Sequence, residues 1–294
     1  MTDVIGSPFA EQRDLAAGRA LVDLSDRDVL AITGEDRLSW LDSLTSQRLT
    51  GLAPGASAET LLLDPSGRVE YAARVVDDGD TTWLLMDAGT GAGLLDFLQR
   101  MRFMLRVAVA DRSGDLGTVG TLGRPPEIAA VVWHDPWAAV APGGHQYATA
   151  ASHPGADWTY SESLVPRDRL GELRFGAGAL ALEALRIAAW RPRAATELDA
   201  TTIPHELDWI RSAVHLAKGC YRGQETVAKV HNLGHPPRRL VMLHLDGSQG
   251  GLPEHGDEVV LGDTVVGRVT AAARHYELGP IALAVLKRTV PTDA

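Results

Sequence analysis

The stretch AETLLLDPSGRVEYAARVVDDGDTTWLLMDA, residues 58–88, constrains the fold more than any other part of the chain. It contains three runs rich in apolar, β-branched and aromatic residues, separated by Pro65-Ser66-Gly67 and by Asp77-Asp78-Gly79-Asp80, compositions that reverse a chain within a few residues. Parallel neighbours need a crossover of about a dozen residues or more, so turns this short predict an antiparallel meander. The following Gly89-Thr90-Gly91-Ala92-Gly93 opens a helical pattern, LLDFLQRMRF, but a dinucleotide loop needs glycine at its first, third and sixth positions within a βαβ unit. The sixth position here is Leu94 and the strands before it form hairpins, so the loop reads as the start of a helix.

Helical patterning flanks the meander. GEDRLSWLDSLTSQRL, Gly34 to Leu49, spaces Leu38, Leu41 and Leu44 three apart, which predicts a helix with one apolar stripe stopped by Thr50-Gly51. The period returns at PRDRLGELRF and at Ala179–Trp190, where Pro192 ends it. Residues 111–160, with Trp133, Trp137 and Trp158 among Gly, Pro and Ala, read as the loop-rich end of a module. The last segment changes character: RRLVMLHLDG, GDEVVL, TVVGRVTAAARH and PIALAVLKR are short strands between Gly and Asp turns, as in a small antiparallel barrel beginning near His235. The fold class is therefore α+β, and 294 residues suit two or three modules.

The formal net charge of -10 excludes a general nucleic-acid binder, and without an apolar run of membrane-spanning or signal-peptide length the chain is expected in the cytoplasm, off the membrane. Its only cysteine, Cys220, precludes an internal disulfide and a structural Cys/His zinc site, and no metal is expected. The thiol lies in KGCYRGQE, Lys218 to Glu225. From Lys218 to Arg239 the basic residues Lys218, Arg222, Lys229, Arg238 and Arg239 face one acid, Glu225, so this span would draw an anionic ligand or an acidic partner. Flanking cations favour the thiolate over the thiol. A buried, inert cysteine is the plainer alternative. His231 and His235 stand four apart, but Gly234 and Pro236-Pro237 predict a loop there, and HELDW has Trp209 where a metalloprotease helix needs its second histidine.

KGCYRGQE resembles the signature of the YgfZ family, folate-binding proteins related to the T-protein (aminomethyltransferase) of the glycine cleavage system. ITGEDRLSWLDSLTSQRL, LLLDPSGRVEYAARV and ALEALRIAAWRPR followed by TIPHELDW are similar to further segments of that family. The resemblance implies a three-lobed T-protein-like fold around a central channel. Its first α+β domain would comprise residues 1–50 and 160–234 and carry the motif; a second α+β domain would span 51–159 and a C-terminal β-barrel 235–294. It also implies tetrahydrofolate or a folate derivative as ligand, iron-sulfur client or assembly proteins as partners, and Cys220 as the residue through which the chain serves those clusters.

Folate is a flat heterocycle with a carboxylate tail, which calls for an aromatic slot with basic residues at its mouth. The candidates are Trp190 and Tyr221 for stacking, Arg186 at the helix end, Lys218 and Arg222 for the tail, and Gln224 and Glu225 as the remaining polar members of the motif. Arg186 could equally pair with Glu183 on its own helix. T-proteins carry an acidic pair where this chain has Glu70-Tyr71, and LRLEAG where it has Leu185-Arg186-Ile187-Ala188-Ala189-Trp190, so two acids of the transferase are displaced or absent. The resulting expectation is an accessory protein for iron-sulfur cluster assembly or repair; a one-carbon transferase using Glu70 and a non-enzymatic docking module are the alternatives.

Overall fold

The computed structural model describes residues 3–150, 152–248 and 250–291. Three antiparallel sheets and six α-helices make up the described chain. Helix α1 is Pro8–Ala16. A short strand β1, Val22–Asp23, and β2, Asp28–Thr33, lead into α2, Arg37–Leu44. The meander follows as β3, Ser57–Leu63, β4, Val69–Asp77, and β5, Thr81–Met86, each antiparallel to the next. Then come α3, Gly91–Met101, β6, Ala108–Asp111, β7, Leu116–Thr121, β8, Val131–His134, and β9, Ser161–Pro166. Helices α4, Ala179–Ala188, α5, Ala194–Glu197, and α6, Gln224–Leu233, precede the terminal strands β10, Arg238–His244, β11, Glu258–Leu261, β12, Thr264–His275, and β13, Gly279–Lys287.

The four terminal strands match the four strand-like runs of the sequence and pair in the order β10-β13-β12-β11. The other two sheets cross the expected domain boundaries. The five-stranded sheet has the order β3-β4-β5-β2-β6, so β2 joins the meander from before residue 50. The second sheet, β1-β7-β9-β8, takes β7 and β8 from within the expected 51–159 unit and pairs them with strands from outside it. The patterning on β2 suits that place: Val29, Leu30, Ala31 and Ile32 are all buried, as in an interior strand covered on both faces, and β5 and β6 pair along its two sides.

Two helical expectations were too long. The pattern over residues 34–49 delivers helix only to Leu44; Thr45 turns extended, and Ser46 and Gln47 are buried because their side chains bond the carbonyls of Ala213 and Ser212. PRDRLGELRF forms a 3-10 helix over Arg167–Glu172. HNLGH is not wholly a loop either: α6 runs through His231 to Leu233 and ends at Gly234, whose φ of 84° is the left-handed cap that glycine supplies. Among the described residues no helix is long and apolar enough to cross a membrane.

Candidate functional site

A cavity of about 240 Å³ opens where the two α/β sheets meet α4. Arg74 of β4 and Asp87, just after β5, line one wall. Arg27, Trp158 and Tyr160, flanking the second sheet, line another. Glu183 and Arg186 of α4, with Arg191 and Arg193 beyond it, close the third. The Trp158 and Tyr160 rings, their centroids 5.3 Å apart and tilted 32°, supply the aromatic part of the lining.

Every arginine on this wall is paired. Arg27 meets Glu162, which also takes Arg74 Nε at 3.1 Å and the Tyr160 hydroxyl at 3.0 Å. Arg74 Nη2 reaches Asp87 at 3.0 Å. Arg186 spans Glu183 and Glu197, with Nε 3.0 Å from the first and Nη1 3.0 Å from the second. Arg191 donates to Glu59 at 2.7 Å and to Asp135 at 2.8 Å, and Arg193 sits 3.3 Å from Glu183. Burial alone would raise the carboxyls of Asp87 and Glu183, but neighbouring arginines hold both below the ordinary carboxylate range. Burial likewise opposes the charge on Arg186 and Arg191, and their carboxylate partners outweigh it, raising both. Burial raises the Tyr160 phenol. The network is nevertheless incomplete: Arg193 Nε, Glu162 Oε2 and Glu197 Oε1 are buried without a hydrogen-bond partner.

The cysteine motif occupies a different place. Lys218 turns inward: its ammonium is held by the carbonyls of Asp42, Thr45 (2.7 Å) and Gln47 (3.0 Å), at the C-terminal end of α2, with the Asp42 carboxylate at 3.5 Å. Burial pulls the Lys218 pKa down against the opposing pull of Asp42. Arg222 pairs with Glu70 at 2.7 Å and lies over the Phe97 ring. Both cations expected to steady the thiolate are thus engaged elsewhere, and Cys220 stands exposed between two anchored neighbours. Tyr221 packs against the main core, where burial raises its phenol pKa. The Gln224 side chain accepts from Tyr221 N at 3.0 Å, and Glu225 is exposed on the first turn of α6.

Of the predicted contact residues, Arg186 lines the cavity, still joined to Glu183; Trp190, Lys218, Tyr221, Arg222, Gln224, Glu225 and Cys220 do not. Trp190, at φ 54°, packs instead with Ile187, Ala271, Ile281 and Leu283 where α4 meets the terminal sheet, and its ring meets His153 edge-on at 5.9 Å. The aromatic face belongs to Trp158 and Tyr160. Glu70 sits at a bulge, where Leu62 and Leu63 pair with Tyr71 and Val69, and points to Arg222 rather than into the cavity. Sequence reasoning missed Arg27, Arg74 and Asp87, which come from three separated segments; no local motif joins them.

A second polar cluster ties the segment before β9 to α6. The Tyr147 hydroxyl and His231 Nδ1 are 2.8 Å apart, with His145 and His205 packed edge-on around Tyr147. Beneath them burial raises the Asp208 carboxyl to about 6, although Tyr147 N donates to it at 2.6 Å.

Three comparisons with known proteins bear on this geometry. Residues 238–293 match the family described as the glycine cleavage T-protein C-terminal barrel domain. A chloroplastic protein of Arabidopsis thaliana, whose name marks it as a candidate transferase, is 23% identical over 287 residues; the match covers 90% of this chain and 65% of that protein, so the chain spans about two thirds of its relative's length. The crystal structure of the glycine cleavage system aminomethyltransferase T from Bartonella henselae superposes with a TM-score of 0.71 at 16% identity, covering 97% of this chain and 86% of that one. The chain therefore has the T-protein-like fold, ending in the β-domain that gives that family its C-terminal barrel.

Proposed function

We propose that the chain binds a reduced folate in the cavity between Arg74, Arg186 and Trp158, and serves iron-sulfur enzymes as a YgfZ-type accessory protein rather than as an aminomethyltransferase. The observation that carries the folate reading is the lining itself: the Trp158 and Tyr160 rings beside buried donors and acceptors, of which Arg193 Nε lacks a partner. A pterin presents ring acceptors and amino donors on one edge and a stackable face, which suits that inventory. At about 240 Å³ the cavity suits the heterocycle, with the carboxylate tail left outside. The arginines are already neutralised by carboxylates, so their work is to fix those carboxylates and orient the ring.

Transfer of a one-carbon unit needs a proton donor or acceptor at the reacting atoms, with a pKa near working pH. Glu70 is turned to Arg222, and Asp87 and Glu183 are held ionised by arginines, which favours binding over transfer. The accessory role rests on the exposed Cys220 in the signature-like motif. Anaerobic calorimetry with tetrahydrofolate is expected to give saturable 1:1 binding, lost in Arg74→Met or Trp158→Ala variants that still fold. Cys220→Ala is expected to keep that binding yet fail to restore a cluster-dependent enzyme in a deletion strain. A folded protein without folate binding sinks the first part, and full rescue by Cys220→Ala sinks the second.

A further inference from the structure

Away from the cavity and the cysteine motif, the turn between α3 and β6 presents Phe103, Met104 and Leu105 in succession, with 80%, 98% and 42% of their surfaces accessible. Single apolar residues on a surface need no explanation, but a contiguous exposed patch does. Polar or glycine residues would make a solvated turn at lower cost.

This turn is not slack. Arg106 N donates to Asp36 Oδ2 at 2.9 Å, and the Arg106 guanidinium meets Asp36 and Glu35. Gly34 packs so closely on the Arg106 carbonyl that a Cβ would have no space there. Trp40 Nε1 donates to the Met101 carbonyl at 3.2 Å on the other side, and Leu105 N to Arg102 O at 3.1 Å across the turn. Phe103 is held at φ 44°, a left-handed conformation that residues with a Cβ adopt only where their surroundings impose it. A fixed base thus carries three side chains with little protein around them. Arg100 and Arg102 flank them, both exposed and neither in an ion pair among the described residues, on a chain whose net charge is -10.

We propose that the Phe103-Met104-Leu105 turn is a docking knob for another protein, whose receiving surface is an apolar pocket bordered by carboxylates. An aromatic and two aliphatic anchors inside a charged rim have the anatomy of an interface centre. The pre-formed base keeps the ordering cost of association low. Two free arginines on an acidic protein offer an anionic bilayer little attraction, which favours a protein pocket over a lipid surface. Phe97, over which Arg222 of the cysteine motif lies at 5.5 Å, sits on the helix that leads into the knob, so α3 supports both the knob and that motif.

The test places a benzoylphenylalanine photo-crosslinker at Met104 of the full chain in its own cells. The adduct is identified by mass spectrometry, and the purified partner's affinity is measured at several salt concentrations. The expected result is one discrete adduct with a different protein, and a Kd weakened about tenfold or more by Phe103→Ser with Met104→Ser and, separately, by Arg100→Glu with Arg102→Glu. Wild-type affinity should fall as salt rises, and thermal melts should match. The proposal is overturned by the absence of any adduct, by adducts with a second copy of this chain alone, or by a partner indifferent to both substitution pairs. Sedimentation with phosphatidylcholine–phosphatidylglycerol vesicles that the same substitutions abolish would assign the knob to a lipid surface instead.

Discussion

Replacing Lys218 by methionine separates the two roles open to the first residue of the cysteine motif. The stem is kept and the charge removed. The wild-type ammonium is fully engaged by three backbone carbonyls, those of Asp42, Thr45 and Gln47, on a side chain that is 1% exposed. These groups lie where a helix end leaves its last carbonyls without intrahelical partners. The Asp42 carboxylate would not be stranded, because it also accepts from Leu49 N at 2.7 Å and Thr50 N at 3.1 Å. The loss is therefore the three carbonyls, at ~1 kcal/mol each, or about 3 kcal/mol together. At roughly 2–4 °C per kcal/mol, the melting temperature should fall by roughly 6–12 °C. Thermal melts by circular dichroism give that number, and calorimetry on the variant, held below its lowered transition, gives its folate affinity. The expected pair of results is a destabilised protein whose affinity matches wild type. A variant that melts within about 2 °C of wild type yet no longer binds folate would refute the reasoning and make Lys218 a ligand contact.

Two further substitutions test neighbouring claims. Gly223→Ala places a Cβ 2.5 Å from the Asp64 carbonyl and 3.0 Å from Gly67 Cα at φ 82°, so strain and overpacking together should cost roughly 2–4 kcal/mol, read as a lower urea midpoint at unchanged slope. Asp208→Asn tests the raised carboxyl: a pKa lifted from 3.8 to about 6 means stability that is present below the unfolded value and lost as pH rises through the folded one, on the order of 3 kcal/mol. The stability of Asp208→Asn relative to wild type should therefore improve between pH 4 and pH 7; a pH-independent difference in urea unfolding would mean that Asp208 is not held with a raised pKa.

The parts of the fold that the sequence made legible are those fixed locally. Pro65-Ser66-Gly67 and Asp78-Gly79 force hairpins whatever the rest of the chain does, and β11, β12 and β13 pair in succession through their turns, whereas β10 skips its neighbour to pair with β13. What stayed hidden depended on partners distant in sequence. Nothing within Asp28–Thr33 announces that it will lie between β5 and β6, since a uniformly apolar run fits any doubly covered strand. The site followed the same division. Arg186 was identifiable from its helix, whereas Arg27, Arg74 and Asp87 converge only through tertiary structure. Lys218 and Arg222 show the limit of reading charge from sequence: both count as positive in the tally of a span, yet one caps a buried helix end and the other is spent on Glu70.

The cavity wall is costly to build. Arg27, Arg186, Arg191, Glu59, Glu162 and Glu197 are all buried, and replacing paired buried charges by well-packed apolar groups is often neutral or stabilising. Stability alone would favour a wall of leucines. Pairing explains how the charges are tolerated, but it leaves Arg193 Nε, Glu162 Oε2 and Glu197 Oε1 without partners, and each such group carries its own desolvation penalty. Of the three, Arg193 lines the cavity, where a polar heterocycle or ordered water could relieve it and an apolar side chain could not. The same lattice fixes the cavity's shape: Arg191 alone joins Glu59 on β3 to Asp135 beyond β8, so the walls cannot part without breaking buried ion pairs. A rigid, polar, partly unsatisfied enclosure with aromatic side chains in its lining suits the recognition of a flat polar ring, the ligand class proposed above.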